Sequence, residues 1–426
     1  MTVYMICYAA GMLFSRISLY ALSGIVLIFA ALVLFAQDMR GPGLPVRLRA
    51  LFSLSFVGGQ GLACLKLSRL QTDWELMTWA VLFLAYAAFW LAVEWLRLRN
   101  GPAVRGAAPG RLNGVRRGRL FLSIVIITGI SLCAFLLEAF LLGYVPLLVR
   151  GVPHAYSYFH ISGVHYFTVS CVLVPAFAAV WTAAEPGAPL RERNIVRFCI
   201  FLSFLIPVLC VSRSQMILAA MFAGITLLIT GRNRVPAAAG AACAAALLVL
   251  YVILTVARSH SVEYLNGIFE MKRNYPIFIS QPYIYIANNY DNLNCLIRDL
   301  THHTFGIRSL YPLWALTGLK FVFPQLVSSP LFVTKTELTT LTLFYDAWYD
   351  FGTTGVVLFS GILGGLCYFL EKRIGEDHGP AVCVFFAQIA VYLSLSFFTT
   401  WFSNPATWFY FAETLAVALF CGRRGR

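Results

Sequence analysis

Charge is the scarcest property of this chain. Asp, Glu, Lys and Arg together make up 12% of its 426 residues, and eighteen acidic side chains face thirty-two basic ones. A soluble chain of this length clothes its surface with about a quarter charged residues. Here 60% of residues are hydrophobic and the mean hydropathy is +0.77, so lipid is the main solvent. Ten-residue segments of alternating polarity are lacking too, which excludes a transmembrane β-barrel. A disulfide framework is equally absent. Of eleven cysteines, Cys64, Cys133, Cys171, Cys199, Cys210, Cys243, Cys367 and Cys383 lie inside apolar runs as small hydrophobes. Cys295, in a polar stretch, has no obvious partner. No GxGxxG stands in a Rossmann-like strand-to-helix context. The formal charge of +14 is spread in short basic clusters between apolar runs, a pattern that orients membrane proteins and argues against a nucleic-acid partner.

What the chain has is a series of apolar runs near the length of about 20 residues that spans a bilayer. They fall near 17–36, 50–66, 75–95, 120–141, 163–183, 195–211, 214–230, 236–256, 353–371, 380–401 and 406–421. A shorter run, 1–14, lacks a basic start and a small-residue cleavage site, and reads as a twelfth span or a surface-lying segment. The fold expected is therefore all-α, a polytopic integral membrane protein of 11–12 transmembrane helices. Strict alternation of eleven spans puts six basic clusters on one side: Arg40, Arg47 and Arg49; Arg97 to Arg119; Arg191 and Arg193; Arg232 and Arg234; Lys372 and Arg373; Arg423 to Arg426. Short loops rich in Lys and Arg mark the cytoplasm. Three regions follow: helices over 1–256, one large periplasmic loop over 257–352, and C-terminal helices over 353–426. The loop is rich in Tyr, Asn, Phe, Trp and Pro rather than linker-like, so it should fold. Its stretch 309–332, apolar but broken by prolines, reads as interfacial or re-entrant. No inverted repeat is visible, which counts against a secondary transporter.

The side opposite the basic clusters carries Arg150, Arg213, Arg258, Lys272, Arg273, Arg298, Arg308, Lys320 and Lys335. Long translocated loops escape the charge bias, but Arg213 stands in VSRSQ, between two apolar spans with almost no loop. A charge there is costly unless paired or functional. The stretch 281–299 concentrates Tyr283, Tyr285, Asn288, Asn289 and Asn292. Amides and aromatic rings together suit sugars, and equally suit a polar helix lining the loop's own core. Asp346 and Asp350 share a helix face at i and i+4, followed by Gly352 and Gly355. They read as catalytic carboxylates, as partners of loop arginines, or as caps of the next span. Glu337 and His302 are further acid–base candidates.

At these residues the sequence resembles the O-antigen polymerase family. The likeness rests on GYVPLLVRG (143–151), SRSQMILAAMFAG (212–224), YIYIANNYDNLN (283–294) and YDFGTTG (349–355), with the late, dominant loop. Arg213 and Gly224 fit an Arg-x10-Gly pattern of some members; Arg47–Gly58 and Arg99–Gly110 fit it too, so position carries Arg213 and spacing does not. The resemblance implies a GT-C-like glycosyltransferase architecture in the bacterial inner membrane. It implies a metal-independent polymerase without cofactor that joins oligosaccharide repeats carried on undecaprenyl pyrophosphate at the periplasmic face. Arg213, with Arg258, Arg273 and Arg150, would neutralise the pyrophosphate. Asp350, Asp346, Glu337 or His302 would take the acceptor proton, and Tyr283, Tyr285, Asn288, Asn289 and Asn292 would hold glycan. The spans would groove the polyprenyl tail among membrane lipids, and chain-length control calls for a partner regulator protein.

Two rivals use the same layout. An O-antigen ligase transfers glycan to lipid A core, and usually carries a histidine just before the helix-start glycine, where TLTLFYDAWYDFG has none. A lipid-linked oligosaccharide flippase expects ionisable residues along a central cavity and pseudo-symmetric halves, whereas these spans are sparsely charged.

Overall fold

The computed structural model of the chain describes residues 1–41, 43–103, 116–149, 155–184, 186–231, 262–327, 329–376 and 379–422. The expected span near 236–256, and with it the candidates Arg150 and Arg258, lies outside these residues. Among them no β-strand forms, and one isolated bridge joins Ser68 to Met271.

Among the described residues six helices are long and apolar enough to cross a bilayer: Tyr20–Met39, Leu76–Asn100, Arg117–Leu142, Val164–Ala184, Arg213–Thr230 and Tyr345–Glu376. At 1.5 Å per residue even the shortest rises about 27 Å, close to the hydrocarbon thickness. Leu190–Leu209 follows the expected span at 195–211, and Thr2–Arg16 makes the short first run a helix. Phe29, Leu91, Ile126, Phe140, Leu358 and Phe369 turn outward from the long helices. So many large apolar side chains on the outer surface are stable in lipid and not in water. The chain is a polytopic α-helical membrane protein.

Two expected boundaries move. The span drawn at 380–401 ends as a helix at Ser394, and 395–404 leaves the helical path. The sequence supplies the reason for the next start: the Asn404 side chain accepts the Ala406 N–H at 2.9 Å and Pro405 opens the helix Pro405–Cys421. The span drawn from 353 begins instead at Tyr345, because a kink at Gly352 joins an outer turn to the apolar part.

The chain forms two compact units that cut across the three sequence regions. The first holds Met1–Gly106, Val262–Lys372 and Tyr392–Trp408, so most of the long loop belongs with the N-terminal helices. Within it, Tyr20–Met39 meets Gly58–Cys64 at glycines: a Cβ on Gly24 would lie 2.7 Å from the Gly61 carbonyl. Only small residues let two helix backbones come this near. A wide π-turn at Ser53–Val57 precedes Gly58–Cys64. One end of this unit is closed by ions: Arg49 bonds Asp38 at 2.5 Å and also Glu94, while the Leu48 N–H donates to Glu371 at 2.7 Å. The other end carries the loop.

The second unit holds Ala107–Ser261, Arg373–Val391 and Phe409–Arg426. Its axis is Val164–Ala184, whose apolar window is 83% buried, as expected of a helix that is hydrophobic and small-sided all round. Arg117–Leu142, Leu190–Leu209 and Arg213–Thr230 pack around it.

Candidate functional site

The loop end of the first unit is organised by the helix Ile277–Asp299. Tyr283, Asn288, Asn289 and Asn292, expected to hold glycan, are buried on it. Their polar groups bond the protein. Asn292 donates to the Leu338 and Thr340 carbonyls at 2.8 and 2.9 Å and accepts the Thr334 N–H at 2.9 Å. Asn289 donates to the Phe397 carbonyl and accepts from Thr340, and Asn288 accepts from the Thr334 hydroxyl. The Tyr283 hydroxyl donates to Gln71 at 2.7 Å and accepts the Leu67 N–H at 2.9 Å, and burial pushes its ionisation well above the usual tyrosine value. Tyr285 is half-buried, its ring 6.3 Å from Phe398. Amide side chains that join three chain segments in this way favour the packing role over the sugar role. The stretch also contains Asp291, which sequence reasoning passed over. Its carboxylate accepts from Lys66 (2.9 Å), Gln71 (2.9 Å) and Trp74 (3.0 Å) in a fully enclosed network.

The two aspartates of YDFGTTG and its approach meet a different fate. Gly352 adopts φ 60°, ψ −145°, a region essentially reserved for glycine. A Cβ there would lie 3.0 Å from His303 Nε2, and one on Gly355 would lie 2.3 Å from the Ala347 carbonyl. The chain therefore folds back on itself at the kink. The carbonyls beside it are met by the loop: Thr304 N–H donates to Tyr349 at 3.3 Å and Phe305 N–H to Asp350 at 3.1 Å. The Asp350 carboxylate accepts from the Thr304 hydroxyl, from Arg308 N–H at 3.2 Å and from Ser309 N–H at 2.7 Å. Asp350 is fully buried; it clasps loop 304–309 onto the kinked helix, which makes it a positioning residue.

Asp346, one turn earlier, bonds Arg308 Nε at 2.6 Å. The Arg308 guanidinium lies over the Tyr349 ring at 4.6 Å and the Tyr345 ring at 5.6 Å, a stacked geometry that fixes its plane. Both ionic side chains line a cleft of about 370 Å³ whose further lining includes Tyr311, Ser329, Thr399, Thr400, Ser403 and Asn404. The side-chain hydroxyls of Thr399, Thr400 and Ser403 make no hydrogen bond among the described residues. A second hollow of about 360 Å³ in the same unit is apolar, with Leu32, Leu51, Leu54, Leu62, Ile286 and Phe397 in its lining. Segment 394–400 borders both, with Ser394 and Phe397 on the apolar hollow and Thr399 and Thr400 on the polar cleft.

Other candidates lie apart from this cleft. His302 and Glu337 are exposed, the latter bonded by the Thr336 hydroxyl at 3.0 Å, and neither lines it. Arg273 is exposed in the turn before the loop helix.

Arg213 belongs to the second unit, where it is 8% exposed at the first turn of Arg213–Thr230. A cation at a helix N-terminus opposes the dipole by about 0.3–1 kcal/mol. It is delivered there by a tight helix stop: Ser212 N–H bonds the Pro207 carbonyl at 2.8 Å and Val211 N–H the Val208 carbonyl at 3.0 Å. This Schellman pattern calls for glycine, yet Val211 holds φ 54°. Val211 and Met216 form a buried patch with Leu147, Tyr156 and Val208 around it. The same unit holds a pair no sequence argument joined: buried Glu138 accepts from His165 Nδ1 (3.1 Å), Thr168 (2.7 Å) and Ile161 N–H (2.9 Å).

Arg308 was visible in the sequence only as one of nine cations on its side, and segment 399–401 was absorbed into the span drawn at 380–401. The signal for the latter was TTWFSNP, a polar interruption ending in Asn-Pro. Comparison with known proteins finds no matching family model, no matching curated protein and no matching solved structure.

Proposed function

We propose that this protein polymerises oligosaccharide repeat units carried on undecaprenyl pyrophosphate, at the periplasmic face of a bacterial inner membrane. The observation that carries the reading is the cleft in which Arg308, stacked on Tyr349 and paired with Asp346, shares the lining with hydroxyls that no group among the described residues uses. A guanidinium suits a pyrophosphate and free hydroxyls suit a sugar. The apolar hollow that segment 394–400 also borders suits the isoprenoid tail of such a molecule. A lipid-linked pyrophosphate brings its own leaving group, so the protein has mainly to neutralise charge and position an acceptor hydroxyl. Arg213 is a second anion-binding candidate, in the other unit. The alternatives are an O-antigen ligase and a lipid-linked oligosaccharide flippase. The ionic closure by Arg49, Asp38, Glu94 and Glu371 at the far end of the first unit favours an enzyme over a flippase, which needs a path across.

Deletion of the gene in its host, with surface polysaccharide resolved on a gel, tests the reading. Core bearing a single repeat marks a polymerase. Bare core with polymer held on the lipid carrier marks a ligase, and loss of all periplasmic lipid-linked repeats marks a flippase. Complementation by wild type but not by Arg308→Gln or Arg213→Ala supports the respective anion assignments.

A further inference from the structure

An ion pair inside a binding cleft occupies the very groups a substrate needs. Asp346 and Asp350 are one turn apart, yet their surroundings differ. Asp350 has three donors and is closed off. Asp346 accepts from Arg308 alone among the described residues, and it lines the cleft. Arg308 in turn commits only Nε of its side chain to a protein acceptor; Nη1 and Nη2 have none among the described residues. The rings of Tyr349 and Tyr345 hold its plane independently of the aspartate.

We infer that a pyrophosphate entering the cleft takes Arg308 from Asp346, and that the carboxylate so released is the base for the acceptor hydroxyl. The inference rests on the reading above and names the roles of two residues within it. A pyrophosphate offers several charged oxygens to the guanidinium fork, against one oxygen of Asp346 bonded through Nε. In the step, the acceptor O–H breaks and its proton passes to Asp346. The acceptor oxygen bonds the anomeric carbon, the carbon–oxygen bond to pyrophosphate breaks, and its electron pair leaves on the pyrophosphate beside Arg308. Until the anion arrives, Arg308 holds Oδ1 of the carboxylate; its departure gives that oxygen to the acceptor hydroxyl. Substrate binding and activation of the base thereby become one event.

The test uses the full chain in detergent or nanodiscs. Binding of inorganic pyrophosphate and turnover of a lipid-linked repeat are measured for wild type, Asp346→Asn, Asp346→Glu and Arg308→Gln. Removing an internal competitor should make Asp346→Asn bind pyrophosphate about tenfold more tightly, while turnover falls at least about a hundredfold. Arg308→Gln should lose both, and Asp346→Glu should recover part of the turnover. Weaker pyrophosphate binding by correctly folded Asp346→Asn overturns the exchange, because a merely structural pair would loosen Arg308. Turnover by Asp346→Asn within threefold of wild type overturns the base assignment. Failure of wild type itself to turn over any lipid-linked repeat strikes the functional reading instead, and the sign of the binding change still judges the exchange. A short-chain polyprenyl pyrophosphate binding more tightly than inorganic pyrophosphate supports a lipid headgroup as the ligand; equal affinity overturns that source.

Discussion

The Lys66 ammonium lies 2.9 Å from the Asp291 carboxylate, and neither side chain is more than 3% exposed. Lys66 lies two residues past the helix Gly58–Cys64, and Asp291 stands within the loop helix Ile277–Asp299. Lys66 also donates to the Thr72 carbonyl and lies over the Trp74 ring. Removing one partner of a buried pair costs about 3–5 kcal/mol, because the other charge is stranded. Lys66→Met should therefore destabilise the protein strongly. Lys66→Met with Asp291→Asn should recover more than half of the loss, since the neutral amide still accepts from Trp74. Unfolding midpoints of the three variants in detergent check this.

Asn292 separates a sugar-binding from a packing role. Its side chain joins the loop helix to Thr334, Leu338 and Thr340. Asn292→Ala leaves buried carbonyls unpaired at about 1–3 kcal/mol each. The expected outcome is a lowered unfolding midpoint. A raised KM for glycan with unchanged stability would restore the sugar role.

The kink makes a third prediction. Gly355→Ala drives a methyl into the Ala347 carbonyl, where a backbone and not a flexible side chain is the obstacle. Overpacking of this kind costs about 1–3 kcal/mol. Gly352→Ala adds a left-handed penalty of about 1–2 kcal/mol. Both variants should lose activity together with stability, read by turnover and thermal unfolding, whereas Gly361→Ala, which meets open space, should lose neither.

Burial pushes the Cys295 thiol up from its ordinary value. The thiolate is the reactive form, so a raised value in the folded protein leaves less of it at pH 8. In a variant with Cys295 as its sole cysteine, a membrane-impermeant maleimide should label the native chain far more slowly than a free thiol. Denaturation should bring the rate to the free value.

The helical spans were legible because hydropathy alone dictates them: long runs without charge can only be helices in lipid. The broken end at Ser394 was not, because Leu395, Phe397 and Phe398 continue the apolar run and the polar interruption TTWFSNP begins only at 399. The acidic pair at Asp346 and Asp350 was visible by its spacing. That one aspartate clasps a loop while the other lines a cleft was not, since both depend on residues some forty positions upstream. The Tyr/Asn stretch carried two readings in its composition, and its hydrogen-bond partners from 66–78 and 334–340, which favour the packing one, are far away in the sequence. Lys66 was hidden by its position at the end of an apolar run.

The kinked helix is also a depth gauge. Its apolar part, 353–370, rises about 27 Å, close to the roughly 30 Å of hydrocarbon in an average bilayer. The turn before Gly352 then stands at headgroup level, carrying Asp346. Thickness of the surrounding membrane thus sets whether that carboxylate meets water or acyl chains. Under the proposed function, turnover in vesicles should peak at one acyl length and fall in thicker bilayers, which would make the lipid composition of the host a control on its rate.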